Sequence, residues 1–339
     1  MADKHLYLVL DCETATMPFI NEITEDPEAH KKIAIARPLI YDIGWVIVDR
    51  MGNEILREQY LVAETFSVPT IFTTAYYKEK RPIYLRMLRN GETSIVSWLY
   101  VRERLIQAMK SVCAVGAFNS AFDFKKAIPF TDIYTEKLYS EDYYEWEEGQ
   151  KEFCRIIISE PFDKSRREKI MEPEVFRFHD ATYPLFDLWG LSTTLLINND
   201  RYKRYCVENK LFSPSGIYFK TSAETTFQYI ANMYDFEEQH TALDDAIIEA
   251  HILSKITSRR ALPLGIRIFP FRDLGYTGDF VIQRRTNQSH AETVLSVLSN
   301  MARENPENRT IASQLASLTT YYDQKYKKVE EQCHASNQE

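Results

Sequence analysis

Five residues of this chain have types and spacing that could do chemistry: Asp11 and Glu13 two apart near the N-terminus, Asp123 mid-chain, and His240 five residues ahead of Asp245. Singly, each has a plain explanation. A carboxylate in the first turn of a helix suits the positive end of the helix dipole and can cap it, which would account for Asp123, Asp244 and Asp245. An Asp-x-Glu at a strand end can be a frayed, solvated edge. As an ordered set they ask for more, because four carboxylates brought to one sheet edge repel one another unless cations lie between them. Hard oxygen ligands of this kind suit Mg²⁺ or Mn²⁺ rather than zinc. Two such ions can clamp a phosphodiester, one activating water and the other stabilising the leaving oxygen. A neutral histidine close to a metal carboxylate is then placed to take the proton from that water.

The elements that must position these residues follow from the apolar pattern. Residues 6–10 (Leu-Tyr-Leu-Val-Leu) read as a central strand covered on both faces and ending in Asp11-Cys12-Glu13, and strand alternation puts Asp11 and Glu13 on one side. Residues 40–49 and 55–62, joined by Met51-Gly52-Asn53, predict an antiparallel hairpin. Ile95, Trp98, Leu99, Leu105, Ile106 and Met109 recur at helical spacing, and residues 112–117 predict a strand added in parallel after that crossover. Asp123 then falls in the first turn of a short helix at the C-terminal edge of the sheet, where ligands of open α/β sheets gather. Residues 175–180 predict a fifth strand and residues 185–197 a helix. A further helix ends near Ser258, with an apolar stripe of Ala246, Ile247, Ala250 and Leu253 and with Glu249 and His251 on its other side. The expected fold is therefore α/β, a mixed five-stranded sheet flanked by helices.

Length and composition bound the rest. At 339 residues the chain exceeds one average domain, and 45% apolar content is ample for a packed core. We expect a catalytic domain over residues 1–258, with a peripheral insertion at about 131–174, and an accessory region over 259–339, helical at its end. The polar loop of residues 14–38, with a short helix near 27–35, lies beside the candidate site, where long loops are more often functional than idle. Five scattered cysteines with no CxxC pair fit reduced thiols and no zinc site. The N-terminal apolar run is too short for a signal peptide or a membrane span, so the expectation is a soluble, cytoplasmic protein without a membrane partner. A net charge of −8 argues against a protein that coats nucleic acid, and each short basic cluster reads as a solvated face; an enzyme that grips a few nucleotides remains compatible.

The ordered set resembles the DEDDh 3′→5′ exonucleases, the group with the proofreading subunits of replicative polymerases, ribonuclease T and oligoribonuclease. The matching pieces are Asp11-Cys12-Glu13-Thr14, Asn119-Ser120-Ala121-Phe122-Asp123 and His240-Thr241-Ala242-Leu243-Asp244-Asp245-Ala246. Ile43-Gly44 is similar to the family's second strand, and Asp180 sits where the family often carries a further aspartate. The resemblance spans residues 5–256, and the abundance of aromatics with few glycines is similar to phage-encoded exonucleases. It implies a ribonuclease H-like fold and two Mg²⁺ or Mn²⁺ ions. Asp11, Glu13 and Asp245 would hold the first ion, Asp11 would reach the second, and Asp123 would support that one through water. His240 would be the general base, in place of the tyrosine of the sister branch. Thr14 and Phe122 would touch the terminal nucleotide. Cys12 replaces the usual threonine and is expected to point away from the carboxylates. The implied partner is nucleic acid with a free 3′ end, DNA or RNA, shortened to nucleoside 5′-monophosphates. Two other readings stand beside it: a scaffold protein on the same fold with a dead site, and a hydrolase of small nucleotides.

Overall fold

The computed structural model of the chain describes residues 5–19, 37–140, 151, 154–155, 175–196, 199–211 and 220–258, with single positions between 295 and 320. Its centre is a mixed sheet of seven strands in the order β4-β3-β2-β1-β5-β7-β6. The strands are β1 (Leu6–Ala15), β2 (Leu39–Asp49), β3 (Glu54–Val62), β4 (Ser94–Val96), β5 (Ala114–Ala117), β6 (Val175–Phe178) and β7 (Ala181–Asp187). Helices of two or more turns are α1 (Arg81–Asn90), α2 (Trp98–Lys110), α3 (Ile128–Ser140), α4 (Leu188–Leu196), α5 (Asp200–Glu208), α6 (Ala223–Ala231) and α7 (Ala242–Thr257).

The α/β class and the hairpin are as the sequence predicts: β2 runs antiparallel to β1 and β3, while β5 and β7 extend the sheet in parallel. The expected five strands are a correction. Ser94–Val96 adds an edge strand beside β3, and residues 175–180 form only the outer arm of a second hairpin. The place beside β5 belongs to Ala181–Asp187, so the helix expected from residue 185 begins at Leu188. Pro184 hides that strand in the sequence, because proline cannot donate to a ladder. It is tolerated here one residue before the pairing with β5 starts at Leu185.

Residues 6–10 are a central strand for the expected reason, but β1 does not stop at Asp11. It continues to Ala15, with Asp11 opposite Gly44, Glu13 opposite Asp42, and a bulge between Glu13 and Thr14. On one side of the sheet Leu8, Leu10, Ile43 and Trp45 pack with Trp98, Val101 and Leu105 of α2. Burying a side chain the size of Trp45 or Trp98 stabilises the fold by about 1.5–3 kcal/mol. Ser97 caps α2 by accepting from the Tyr100 amide at 3.3 Å, and the buried Glu64 carboxylate accepts from the Trp98 amide at 3.0 Å.

The first part of the expected insertion, residues 131–140, continues α3, where Thr131 is buried and its Oγ1 accepts from the Ile40 amide of β2 at 3.0 Å. The remainder of the insertion, the helix expected near 27–35 and the helical end expected of the accessory region lie outside the described residues apart from isolated positions. Residues 1–192 with 226–270 form one compact unit, which carries the sheet and α7; residues 193–225 with 271–339 form a second. Within the second, Tyr202 and Cys206 of α5 are buried and the Tyr202 hydroxyl donates to the Lys220 carbonyl. Cys12, Cys113, Cys154 and Cys206 are free thiols, and among the described residues no helix is long and apolar enough to cross a membrane.

Candidate functional site

The N-terminus of α7 is docked on β2 by two residues of one strand face. Gly44 leaves room for it: a Cβ there would stand 2.4 Å from the Leu243 amide nitrogen and 2.6 Å from Leu243 Cα. Asp42, two residues earlier and buried, accepts from the Ala242 amide at 2.9 Å and from Gln59 Nε2 at 2.9 and 3.1 Å. Because Gly44 and Asp42 face Asp11 and Glu13 across the ladder, this docking carries α7 to the acids of β1. Thr241 completes the helix start, accepting from the Asp244 amide at 3.4 Å and donating to Asp244 Oδ2 at 2.7 Å. The two neighbouring aspartates are thereby separated, with Asp244 exposed in the cap and Asp245 buried.

One ligand atom each from Glu13, His240 and Asp245 lie within 4.8 Å of one another. His240 Nδ1 is 3.7 Å from Asp245 Oδ2 and 3.6 Å from Glu238 Oε2. Asp11 and Asp123 lie outside that trio and join it through charge. Burial raises the Asp11 carboxyl well above the usual carboxylate range, and Asp123, Asp42 and Glu238 raise it further. Burial, then Asp11 and Asp245, push Glu13 up to about 11, and burial, then Asp11 and Glu238, push Asp245 up to about 9. Burial likewise lifts Asp123 well above its ordinary value; Asp187 adds to this, while the thiol and backbone amide of Cys12 oppose it. Cys12 alternates away from Asp11 and Glu13 along β1 and packs in the apolar core with Leu8 and Leu10. Asp123 itself opens a π-helical turn, Asp123–Ala127, rather than the first turn of an α-helix. Wide turns of this kind recur at functional sites.

Thr14 is half-buried just past the β1 bulge, and Phe122 is half-buried against the hydrophobic core. Asp180 is exposed in the β6–β7 turn, and the buried aspartate of that hairpin is Asp187. Asp187 accepts from the Ser120 amide at 2.8 Å and hydroxyl at 3.0 Å, holding the turn that leads into Asp123. Glu249 was expected on the far side of α7. It is buried instead, accepts from the Phe118 amide at 3.0 Å, and is raised by burial and then by Asp11 and Asp123.

Sequence reasoning thus missed Asp42, Asp187, Glu238 and Glu249. Glu249 was within reach, since four residues after Asp245 it shares that helix face, and Asp42 is an acid within an otherwise apolar strand. Tyr77 and Lys80 gave no local signal. The Tyr77 ring stacks on His240, and Lys80 Nζ donates to the Gln239 carbonyl 159 positions away.

The donor set fits a hard divalent cation. Asp123 Oδ1 and Asp245 Oδ1 are buried without a hydrogen-bond partner among the described residues, and a buried carboxylate oxygen in that state is costly unless a cation or a proton takes it. Fold and site together define a class: an α/β protein with a mixed seven-stranded sheet that gathers buried carboxylates and one histidine beside its central strand. Compared with known proteins, the sequence matches no family model and no curated protein.

Proposed function

We propose that this protein is a divalent-metal-dependent 3′→5′ exonuclease with a ribonuclease H-like catalytic domain. The observation that carries the reading is the convergence of Glu13, His240 and Asp245 within 4.8 Å, beside Asp11 and Asp123, in a cluster whose burial leaves its carboxyls unbalanced. The inner strands β3-β2-β1-β5-β7, two antiparallel pairings followed by two parallel ones, support the fold assignment.

Asp11, Glu13 and Asp245 would hold one Mg²⁺ or Mn²⁺ ion, and Asp11 with Asp123 would serve a second. When bound, such ions lower the pKa of water and neutralise charge on the phosphate. His240 accepts the proton of the attacking water. The water oxygen forms its bond to the terminal phosphorus, the bond from phosphorus to the 3′ oxygen of the penultimate nucleotide breaks, and that oxygen leaves as a hydroxyl by taking a proton from solvent water. The products are a nucleoside 5′-monophosphate and a strand one unit shorter. Thr14 and Phe122, both half-buried near the acids of β1 and the turn that opens with Asp123, are the proposed contacts to the terminal nucleotide.

Purified protein with Mg²⁺ or Mn²⁺ should shorten a 5′-labelled single-stranded oligonucleotide stepwise, and a chelator should stop it. Asp11→Ala and His240→Ala should each lower the rate by ~100-fold or more. Cleavage at the wild-type rate by either variant would sink the mechanism, and early release of the labelled nucleotide would reverse the polarity. DNA and RNA run side by side decide the sugar, since the 2′-hydroxyl is read by local contacts.

A further inference from the structure

Tyr77 and Lys80 belong to no motif of the cluster, and both hold the segment that carries His240. The Tyr77 ring lies face to face with the imidazole, centroids 4.5 Å apart and planes inclined by 12°. Three residues on, at the end of the 3₁₀ turn Lys78–Lys80, Lys80 Nζ donates to the carbonyl of Gln239, the peptide group immediately before His240. The same ammonium lies 5.0 Å from the Tyr77 ring centroid. His240 has φ of 52°, in the left-handed region that a residue with a Cβ occupies only when its surroundings hold it there. Stack and hydrogen bond are that hold: one fixes the plane of the ring and the other the peptide that aims it. Lys80 is also the cation that opposes the rise of the Glu13 and Asp245 carboxyls.

We infer that Tyr77 and Lys80 are positioning residues for His240, presenting its imidazole to the carboxylate cluster in one orientation. The inference rests on the exonuclease reading for its kinetic consequence, but not for its geometry. A base that must meet one proton of one water molecule loses efficiency steeply when its ring is free to turn. Neither side chain needs to touch substrate to have this effect. Tyr77 and Lys80 are both half-buried and neither belongs to the apolar core, so replacing either leaves that core intact.

The test uses the full chain with Mn²⁺ and a 5′-labelled single-stranded oligonucleotide. Tyr77→Ala should lower kcat by ~10-fold or more while KM changes by less than about twofold, since the lost interaction acts on the chemical step. Tyr77→Phe, which keeps the ring and drops the hydroxyl, should restore wild-type kcat, and Lys80→Met should fall between. Wild-type kcat in Tyr77→Ala overturns the inference, as does a change confined to KM, which would make Tyr77 a substrate contact. Proton NMR of the metal-free protein gives a readout independent of cleavage. The His240 ring protons, assigned by their loss in His240→Ala, should be shifted upfield by the Tyr77 ring current and should relax in Tyr77→Ala. Absence of that shift in the wild type overturns the inference whatever the activity. If the shift is present and Tyr77-dependent but no oligonucleotide is cut, the positioning stands and the exonuclease reading falls.

Discussion

Asp244 and Asp245 are adjacent in sequence and opposite in environment: one shares a hydrogen bond with Thr241 at the surface, and the other is buried against Asp11 and Glu13. Burial of several such carboxyls has a measurable consequence. Glu13 and Asp245 hold protons up to about pH 11 and about pH 9 in the folded chain, whereas an unfolded chain releases them near pH 4. Between those limits the folded state binds more protons than the unfolded one, so stability must fall as pH rises. Thermal melts in chelator should therefore drop progressively from about pH 5 to about pH 9, and saturating Mn²⁺ should flatten the profile, because the cation replaces the protons. A flat profile in chelator would contradict the buried acidic cluster. Asp11→Asn should abolish cleavage and leave the metal-free protein more stable at pH 8, by ~2–4 °C for each kcal/mol of repulsion removed.

At the scale of elements, the site depends on how closely α7 approaches β2. Gly44 is required by space rather than by its backbone angles. Gly44→Ala would place a methyl 2.7 Å or less from the backbone of both Ala242 and Leu243, which cannot yield as a flexible side chain would. We expect a loss of about 1–3 kcal/mol in denaturant melts, the usual penalty for overpacking. Cleavage should fall more than stability alone explains, because displacing the helix start moves Asp245. A variant as stable and as active as the wild type would show that α7 can be displaced without harm. Asp42 anchors the same contact from below, accepting the Ala242 amide that the first turn of the helix leaves free. The bulge after Glu13 and the π turn opening with Asp123 are irregularities of otherwise regular elements, and each adjoins an acid of the set.

At the scale of the molecule, the proposed cation site within a chain of net charge −8 predicts that divalent ions raise stability. An ion that binds only the folded state stabilises by about 2.7 kcal/mol at a hundred times its dissociation constant. For a domain of this size that is a rise in melting temperature of ~5–10 °C. Differential scanning fluorimetry with millimolar Mg²⁺ or Mn²⁺ should show it, and chelator should reverse it; no shift with either ion would count against a formed site.

Much of the site was legible in the chain order of its residues. Alternation along β1 placed Asp11 and Glu13 on one side whether or not the strand ended there, and helical spacing set Asp244 and Asp245 in the first turn of α7 and its end near Ser258. These are local properties, carried by periods of 2 and 3.6 residues that any short window displays. β7 was not legible, because Pro184 interrupts the pattern and only pairing with β5 makes the segment a strand. Nor were Asp42 under Ala242, Asp187 under Ser120, or Tyr77 and Lys80 about His240 and Gln239. Each of those contacts joins residues far apart in the chain, and its existence depends on the register of the sheet and the seating of a helix on it. The residue types and their order were a property of the sequence by itself. Which acids are buried, which cation opposes them and what holds the histidine were decided by the tertiary structure, because burial and charge proximity exist only once distant segments are packed together.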